Sequence, residues 1–318
     1  MIAYLIRRVG QAVVVVIGVM ILTFILIHME PGSVARSILG IRATTSRVAI
    51  FNATYGLDQP LYKQLWNYTD QVFHGNLGQS FYQQQQVSTL FAQALPRDIF
   101  LLGTSTVLAL LIALPLGVYQ AVKRNGLADN LLSGTTFTLY TMPTFFFAML
   151  MVGLFAVQLH WLPPTAPQAT SVAGMLADPR ALVLPEATLT LTQIAGFSRY
   201  MRSSVIDTLA QDYLRVCRAK GLGERLVLWR HVLRNSFLPI VTILGLSIPG
   251  LVGGAIVVED IFNYQGMGLL FYQAALRHDF PILLGATLLG GVLTVIGNLA
   301  ADIAYGILDP RVRYAADK

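Results

Sequence analysis

Apolar stretches of about 20 residues recur along this chain, and each is long enough to cross the hydrocarbon core of a bilayer as a helix. In lipid a helix satisfies its own backbone polar groups, so a chain cut this way is confined to a bundle of spans. The first stretch covers residues 9–29 behind Arg7 and Arg8; the second covers 99–122 and is stopped by Lys123 and Arg124. A third, 131–159, is too long to be straight, and Pro143 predicts a kink in it. The fourth begins near Pro185 and is the least lipid-like, with Thr188, Thr190, Thr192 and Gln193 along it. Such a helix should face protein or a pore, which makes Thr188, Thr192 and Gln193 the candidates for a substrate pathway. The fifth and sixth stretches cover 237–258 and 282–307. The expected fold is an all-α integral membrane protein of six transmembrane helices. Composition agrees: 55% of residues are hydrophobic and 12% charged, whereas soluble domains carry about 25% charged residues.

The net charge of +6 does not point to nucleic acid. The cations sit in loops between spans rather than in one patch with interleaved aromatics, so they report topology. Most fall in segments that six spans place in the cytosol, with both termini on that side. A secretory signal peptide with a small-residue site at 33–35 is the alternative for the N-terminus, but the apolar run is long for one, and an uncleaved first span is the expectation. The sequence divides into residues 1–98, the first span plus an external segment, and 99–318, a five-helix core with a basic hairpin at about 207–235. Within the external segment, Tyr62, Trp66, Tyr68 and Phe73 supply apolar material for a folded cap. Gly250 and Gly254 beside Pro249 allow close helix approach or a hinge, close packing being the plainer expectation.

Residues 199–239, RYMRSSVIDTLAQDYLRVCRAKGLGERLVLWRHVLRNSFLP, form the long basic amphipathic segment. Thr208 and Gln211 have capping-box spacing ahead of a helical run over 212–220, which Gly221 and Gly223 break. A second run opens with Glu224, suited to the positive end of a helix dipole, and places Leu226, Arg230 and Leu233 on one face with Val227, His231 and Arg234 beside it. Taken by itself the segment reads first as a solvated loop against anionic headgroups, with a lever on which another protein docks as the alternative.

Residues 215–222, RVCRAKGL, with Glu224-Arg225 and the RHVLRNSFLP of 230–239, resemble the EAA loop of ABC importer permeases in its peptide/nickel-transporter variant. The general Glu-Ala-Ala falls on Arg215-Val216-Cys217, its glycine on Gly221, and the late proline of the variant on Pro239. Other motifs follow in family order: Glu30-Pro31-Gly32, the GLDQP and GNLGQS of 55–81, VVEDIFNYQGMG, Asp279-Phe280-Pro281 with Gly285, and Asp309-Pro310-Arg311. The resemblance implies that the hairpin's short helix is a coupling helix seated in a cytosolic ATPase, with Tyr213, Arg215, Arg218, Ala219, Lys220, Gly221 and Leu222 as its coupling residues. It also implies a second, homologous permease as heterodimer partner, two ATPase subunits, an external substrate-binding protein and a bacterial-type inner membrane. Peptides are the substrate class it favours, beside nickel chelates and glutathione.

Chemistry within the chain has little to stand on. No HExxH, Gly-x-Ser-x-Gly or Walker A sequence is present, so ATP and Mg are expected in partner subunits and no cofactor or metal in this one. The single cysteine, Cys217, rules out an internal disulfide. An intramembrane hydrolase would need a nucleophile and base held together, and the five histidines lie at span ends or in loops. The main alternative, a proton-coupled secondary peptide transporter, needs ionisable groups at membrane depth. Glu186, Glu259 and Asp260 are expected at external ends, and Asp302, one turn from Asn298, near the cytosolic end of the last span.

Overall fold

A computed structural model describes residues 2–29, 33–40, 42–248 and 250–308. Glu30-Pro31-Gly32, Pro249, Asp309-Pro310-Arg311, Arg313 and Lys318 lie outside the described residues, as do the side chains of Arg7, Arg8 and Asp302. Among the described residues the structure is helical, with one isolated bridge between Gln79 and Gln86. The chain opens with α1 (Ile2–Met29), α2 (Val34–Leu39), α3 (Thr45–Tyr55) and α4 (Leu61–Phe73). The Thr44 hydroxyl accepts from Arg47 N–H to start α3, and Pro60 precedes α4. Next come α5 (Val87–Val122), α6 (Leu127–Thr141), α7 (Thr144–Met151), a π-helical stretch over Val152–Gln158, α8 (Val172–Leu176) and α9 (Pro179–Leu209). The basic hairpin holds α10 (Asp212–Ala219), α11 (Glu224–Leu226), a π-helical stretch over Val227–Val232 and α12 (Leu233–Ser236). The chain closes with α13 (Leu238–Ser247), α14 (Gly250–Gly253), α15 (Ile256–Ile261), α16 (Met267–Arg277) and α17 (Phe280–Leu308).

Among the described residues two helices are each long and apolar enough to cross a membrane alone, Val87–Val122 and Phe280–Ala300. The third expected span is broken rather than kinked. Its halves, Leu127–Thr141 and Thr144–Gln158, meet at 102°, because Pro143 cannot continue α6 and instead caps α7. The fourth span starts earlier than read, with Pro179 at its first turn and Pro185 inside the helix. The second is also longer. Val87, Leu90, Phe91 and Ala94 carry its apolar stripe back by three turns to pack against other helices. The fifth is interrupted between α14 and α15, where Gly254 takes a left-handed φ of 57°. A Cβ on Gly250 would meet nothing within 4 Å, so Gly250 itself is not a point of close helix approach within this chain, and the break falls at Gly254.

The chain divides into two compact units. Unit 1 comprises residues 1–98, 249–256 and 265–295. Its core sets the α5 stripe against Met267 and Ala274 of α16 and Ile282, Leu283 and Ala286 of α17. A satellite cluster joins Ala35, Phe51, Phe81 and Phe280. Of the aromatic residues expected to fill this part, Tyr68 is partly buried, while Tyr62, Trp66 and Phe73 are 70–78% exposed on α4. Phe51, Tyr55 and Phe81 do the packing, with ring centroids 4.6–5.8 Å apart. Unit 2 comprises 99–248, 257–264 and 296–318. Ile194, Phe197, Met201 and Val205 of α9 recur at helical spacing and pack with Ala109 and Ala113 of α5, Leu214, Val227, Val232 and Ile240.

Candidate functional site

In unit 2 the basic hairpin is a folded body rather than a loose loop. Leu214 is fully buried in the core of the unit, and the Tyr213 hydroxyl accepts from Asn235 Nδ2 at 2.7 Å, tying α10 to α12. The expected capping box does not form. Thr208 is still inside α9, where its hydroxyl donates to Ser204 O at 2.7 Å, and Gln211 caps α10 without a side-chain bond. Thr208 also meets Ser236 Oγ at 3.0 Å. The helix ends as its glycine requires: Gly221 sits at φ 80°, its N–H donates to Arg218 O at 2.9 Å, and Leu222 N–H reaches Cys217 O at 3.3 Å. These two bonds make the Schellman ending, in which the left-handed position carries no Cβ penalty only for glycine.

The second run departs from the α-helical faces read in the sequence. Its π-helical turn over Val227–Val232 puts Val227 and Val232, five apart, into the core together. Leu226 is left 45% exposed. The hairpin's outer surface mixes apolar and cationic groups. Tyr213, Val216, Leu226 and Trp229 are exposed, Trp229 at 72%. Arg215 pairs with Asp212 at 3.2 Å and Arg218 with Glu224 at 2.8 Å, both in open solvent. Ala219, Lys220, Arg225, Arg230 and Arg234 are exposed as well, and these cations form no ion pair among the described residues. Val216 and Trp229 were not singled out in the sequence, because a hydrophobic residue in an amphipathic run is read as buried by default.

Ahead of the hairpin, α9 is tied to α6 by a pair that sequence reading missed. Arg202 of α9 donates through Nε and Nη2 to the two carboxylate oxygens of Asp129 at 2.9 and 2.8 Å. Asp129 is buried at the start of α6 and also accepts from Asn125 N–H and Ser133 Oγ. The only signal was a lone acid at the start of a span.

The pathway candidates on α9 are placed unequally. Thr188 is fully buried with its hydroxyl on Leu184 O, and Thr192 donates to Thr188 O and Leu189 O, so both bond within their own helix. Gln193 turns toward α5: its Nε2 donates to Ser105 Oγ at 3.1 Å and its Oε1 accepts from Thr106 Oγ1 at 2.8 Å. Glu186, expected at an external end, is two turns into α9 and bonded to the Thr104 hydroxyl.

In unit 1, two motifs far apart in sequence converge. Asp279, buried ahead of α17, accepts from Ser80 Oγ at 2.5 Å, Phe81 N–H at 3.0 Å and Tyr82 N–H at 3.2 Å. The carboxylate thereby fixes the turn formed by GNLGQS. Arg277 lies over the Tyr82 ring at 3.6 Å from its centroid, against the same turn.

The family model described as "binding-protein-dependent transport system inner membrane component" matches residues 113–314, and its N-terminal companion matches 1–102. The chain belongs to this family of importer permeases. Relatives of the permease are similar end to end. The oligopeptide transport system permease protein AppB of Bacillus subtilis is 36% identical over 316 residues, 99% of this chain and 100% of that one. The glutathione transport system permease protein GsiC of Salmonella typhimurium is 33% identical over 314 residues, 99% and 100% of the two chains. Among solved structures, the MetNI methionine ABC transporter in inward-facing conformation aligns with a TM-score of 0.54 at 16% identity, over 70% of the permease and 97% of that chain. That likeness concerns the fold. The permease is therefore a non-catalytic inner-membrane subunit of an ATP-driven importer, working with ATPase and substrate-binding partners.

Proposed function

We propose that the permease imports di- or oligopeptides as one half of a translocation pathway, and that α10 is the element through which the ATPase drives it. The observation that carries the second part is the built hairpin: a helix with a fixed glycine ending, rooted in the core through Leu214, in a surface that presents Tyr213, Val216 and Trp229 among cations of which Lys220, Arg225, Arg230 and Arg234 form no ion pair among the described residues. Large aromatic and apolar groups flanked by Arg and Lys are what a docking face needs. Arg215, Arg218 and Lys220 would meet acidic or carbonyl groups of the ATPase, with Ala219, Gly221 and Leu222 setting the helix end. The peptide assignment is supported by the relative named for oligopeptide transport. The second half of the pathway is a homologous permease, and ATP with its Mg sits in the ATPase subunits.

On this reading the spans place both termini and the hairpin in the cytosol. ATP closes the ATPase dimer, the coupling helices move with it, and rigid-body shifts open the pathway outward. Thr192 and Gln193, partly exposed on α9, are the polar groups available to line it, while Thr188 supports the helix. The orientation is tested by a membrane-impermeant thiol reagent, which should reach Cys217 in inverted vesicles and not in intact cells. The drive is tested by dipeptide uptake in cells depleted of ATP with the proton gradient intact. Uptake should stop; uptake that persists, with Gly221→Val transporting normally, would overturn the proposal.

A further inference from the structure

Unit 1 holds a partly open cavity of about 650 Å³ that none of the features above uses. This is within the range of roughly 300–1,000 Å³ that holds small ligands. Its walls come from the last turns of α1 and α3, from α4, from the loop after α4 and from the start of α17. No Asp, Glu, Lys or Arg lines it. Both ring nitrogens of His28 are engaged, Nδ1 with Phe24 O at 2.8 Å and Nε2 with Gln64 Oε1 at 3.1 Å. The aromatic walls are likewise occupied with one another: Phe24 with His28 at 4.1 Å, His28 with Phe280 at 5.2 Å, Tyr55 with Phe81 at 4.6 Å.

Three lining groups are not occupied. The Tyr68 hydroxyl oxygen is buried and has no hydrogen-bond partner among the described residues. Burial pushes its phenol above the ordinary value, which keeps it an O–H donor at any physiological pH. The side chains of Gln71 and Gln86 are solvent-exposed and make no hydrogen bond among the described residues, and each carries a donor and an acceptor. An ionic ligand would find no counter-charge among the lining residues. An acyl chain would leave the buried phenol unpaired and would take both exposed carboxamides out of water without a partner, which burial penalises. A peptide group carries the same donor and acceptor pair as a carboxamide, and no charge.

We propose that this cavity binds an uncharged, extended stretch of peptide, with backbone amides paired to Gln71 and Gln86 and a carbonyl accepting from the Tyr68 hydroxyl. Such a stretch can come from a transported peptide or from a loop of the substrate-binding protein, and only the first source rests on the peptide reading above.

The test uses the assembled transporter in nanodiscs with photoreactive p-benzoylphenylalanine in place of Thr54, on the cavity wall. It is irradiated with radiolabelled N-acetyl-tetra-alanine-amide in one arm and with the ligand-free binding protein in the other. One arm should give a cross-link that is absent when the label replaces Trp66 instead, which does not line the cavity. Adding Tyr68→Phe, which keeps the ring, should lower that yield roughly 2- to 10-fold, with the thermal midpoint of the complex unchanged; Gln71→Leu should do the same. A cross-link to the peptide probe assigns a substrate stretch, and one to the binding protein assigns its loop. The second outcome stands even if uptake proves independent of ATP. No cross-link in either arm, or yields indifferent to Tyr68→Phe and Gln71→Leu, would overturn the proposal.

Discussion

Two glycine-bearing turns of this permease are built on opposite principles. The turn of residues 74–86 in unit 1 closes on a buried carboxylate, Asp279, which gathers three donors from Ser80, Phe81 and Tyr82. The hairpin of unit 2 is decorated with ion pairs that stand in solvent, Arg215–Asp212 with side chains 80% and 89% exposed and Arg218–Glu224 with 39% and 74%. Hydrogen bonds to a buried charge contribute about 1.5–3 kcal/mol each, whereas exposed pairs are worth about 0–1 kcal/mol because water and salt screen them. The first turn is thus held by its own chain. The second takes its shape from apolar anchoring beneath it and keeps its charges at the surface.

Mutations can break or sharpen that contrast. The largest effect should come from Asp279→Ala, which strands three donors; a loss of about 4 kcal/mol is expected, read as a lower unfolding midpoint and rapid hydrogen exchange across residues 78–86. Leu214→Ala should cost about 2–4 kcal/mol through the cavity it leaves, with exchange accelerated in α10 rather than in unit 1. Gly221→Val forces a branched side chain into the left-handed region, at about 1–3 kcal/mol. The permease should still insert, but ATP hydrolysis in the assembled importer should lose its stimulation by loaded binding protein. Glu224→Ala should be the mildest, shifting stability by less than about 1 kcal/mol and less still at high salt. If it destabilised the permease as much as Asp279→Ala does, the contrast between the two turns would collapse.

The membrane class, the hairpin and the position of its glycine break were legible because each depends on a local property. Apolar run length gives the spans, the distribution of Lys and Arg gives the basic segment, and Gly221 is read from the one residue that adopts a positive φ without cost. Where local cues competed with a neighbour, they failed. Thr208 and Gln211 had the spacing of a cap, yet Ser236 and the continuing α9 claimed Thr208. Pro143 marked a kink, and the chain made a 102° break instead. Tyr62, Trp66 and Phe73 were apolar enough to pack, but Phe51, Tyr55 and Phe81 occupied the core.

The sequence by itself determined that this chain spans a membrane as helices, that its basic segment is two short helices around a glycine, and that it resembles an importer permease. Only the tertiary structure decided which polar groups act together. Asp279 meets Ser80 across 199 positions and Asp129 meets Arg202 across 73, while the Tyr68 hydroxyl is buried without a partner among the described residues. Hydropathy and helical period act over a few turns of chain, but the cost of burying a polar group depends on whatever the fold brings within about 3 Å of it, and that distance is not written in the spacing of residues.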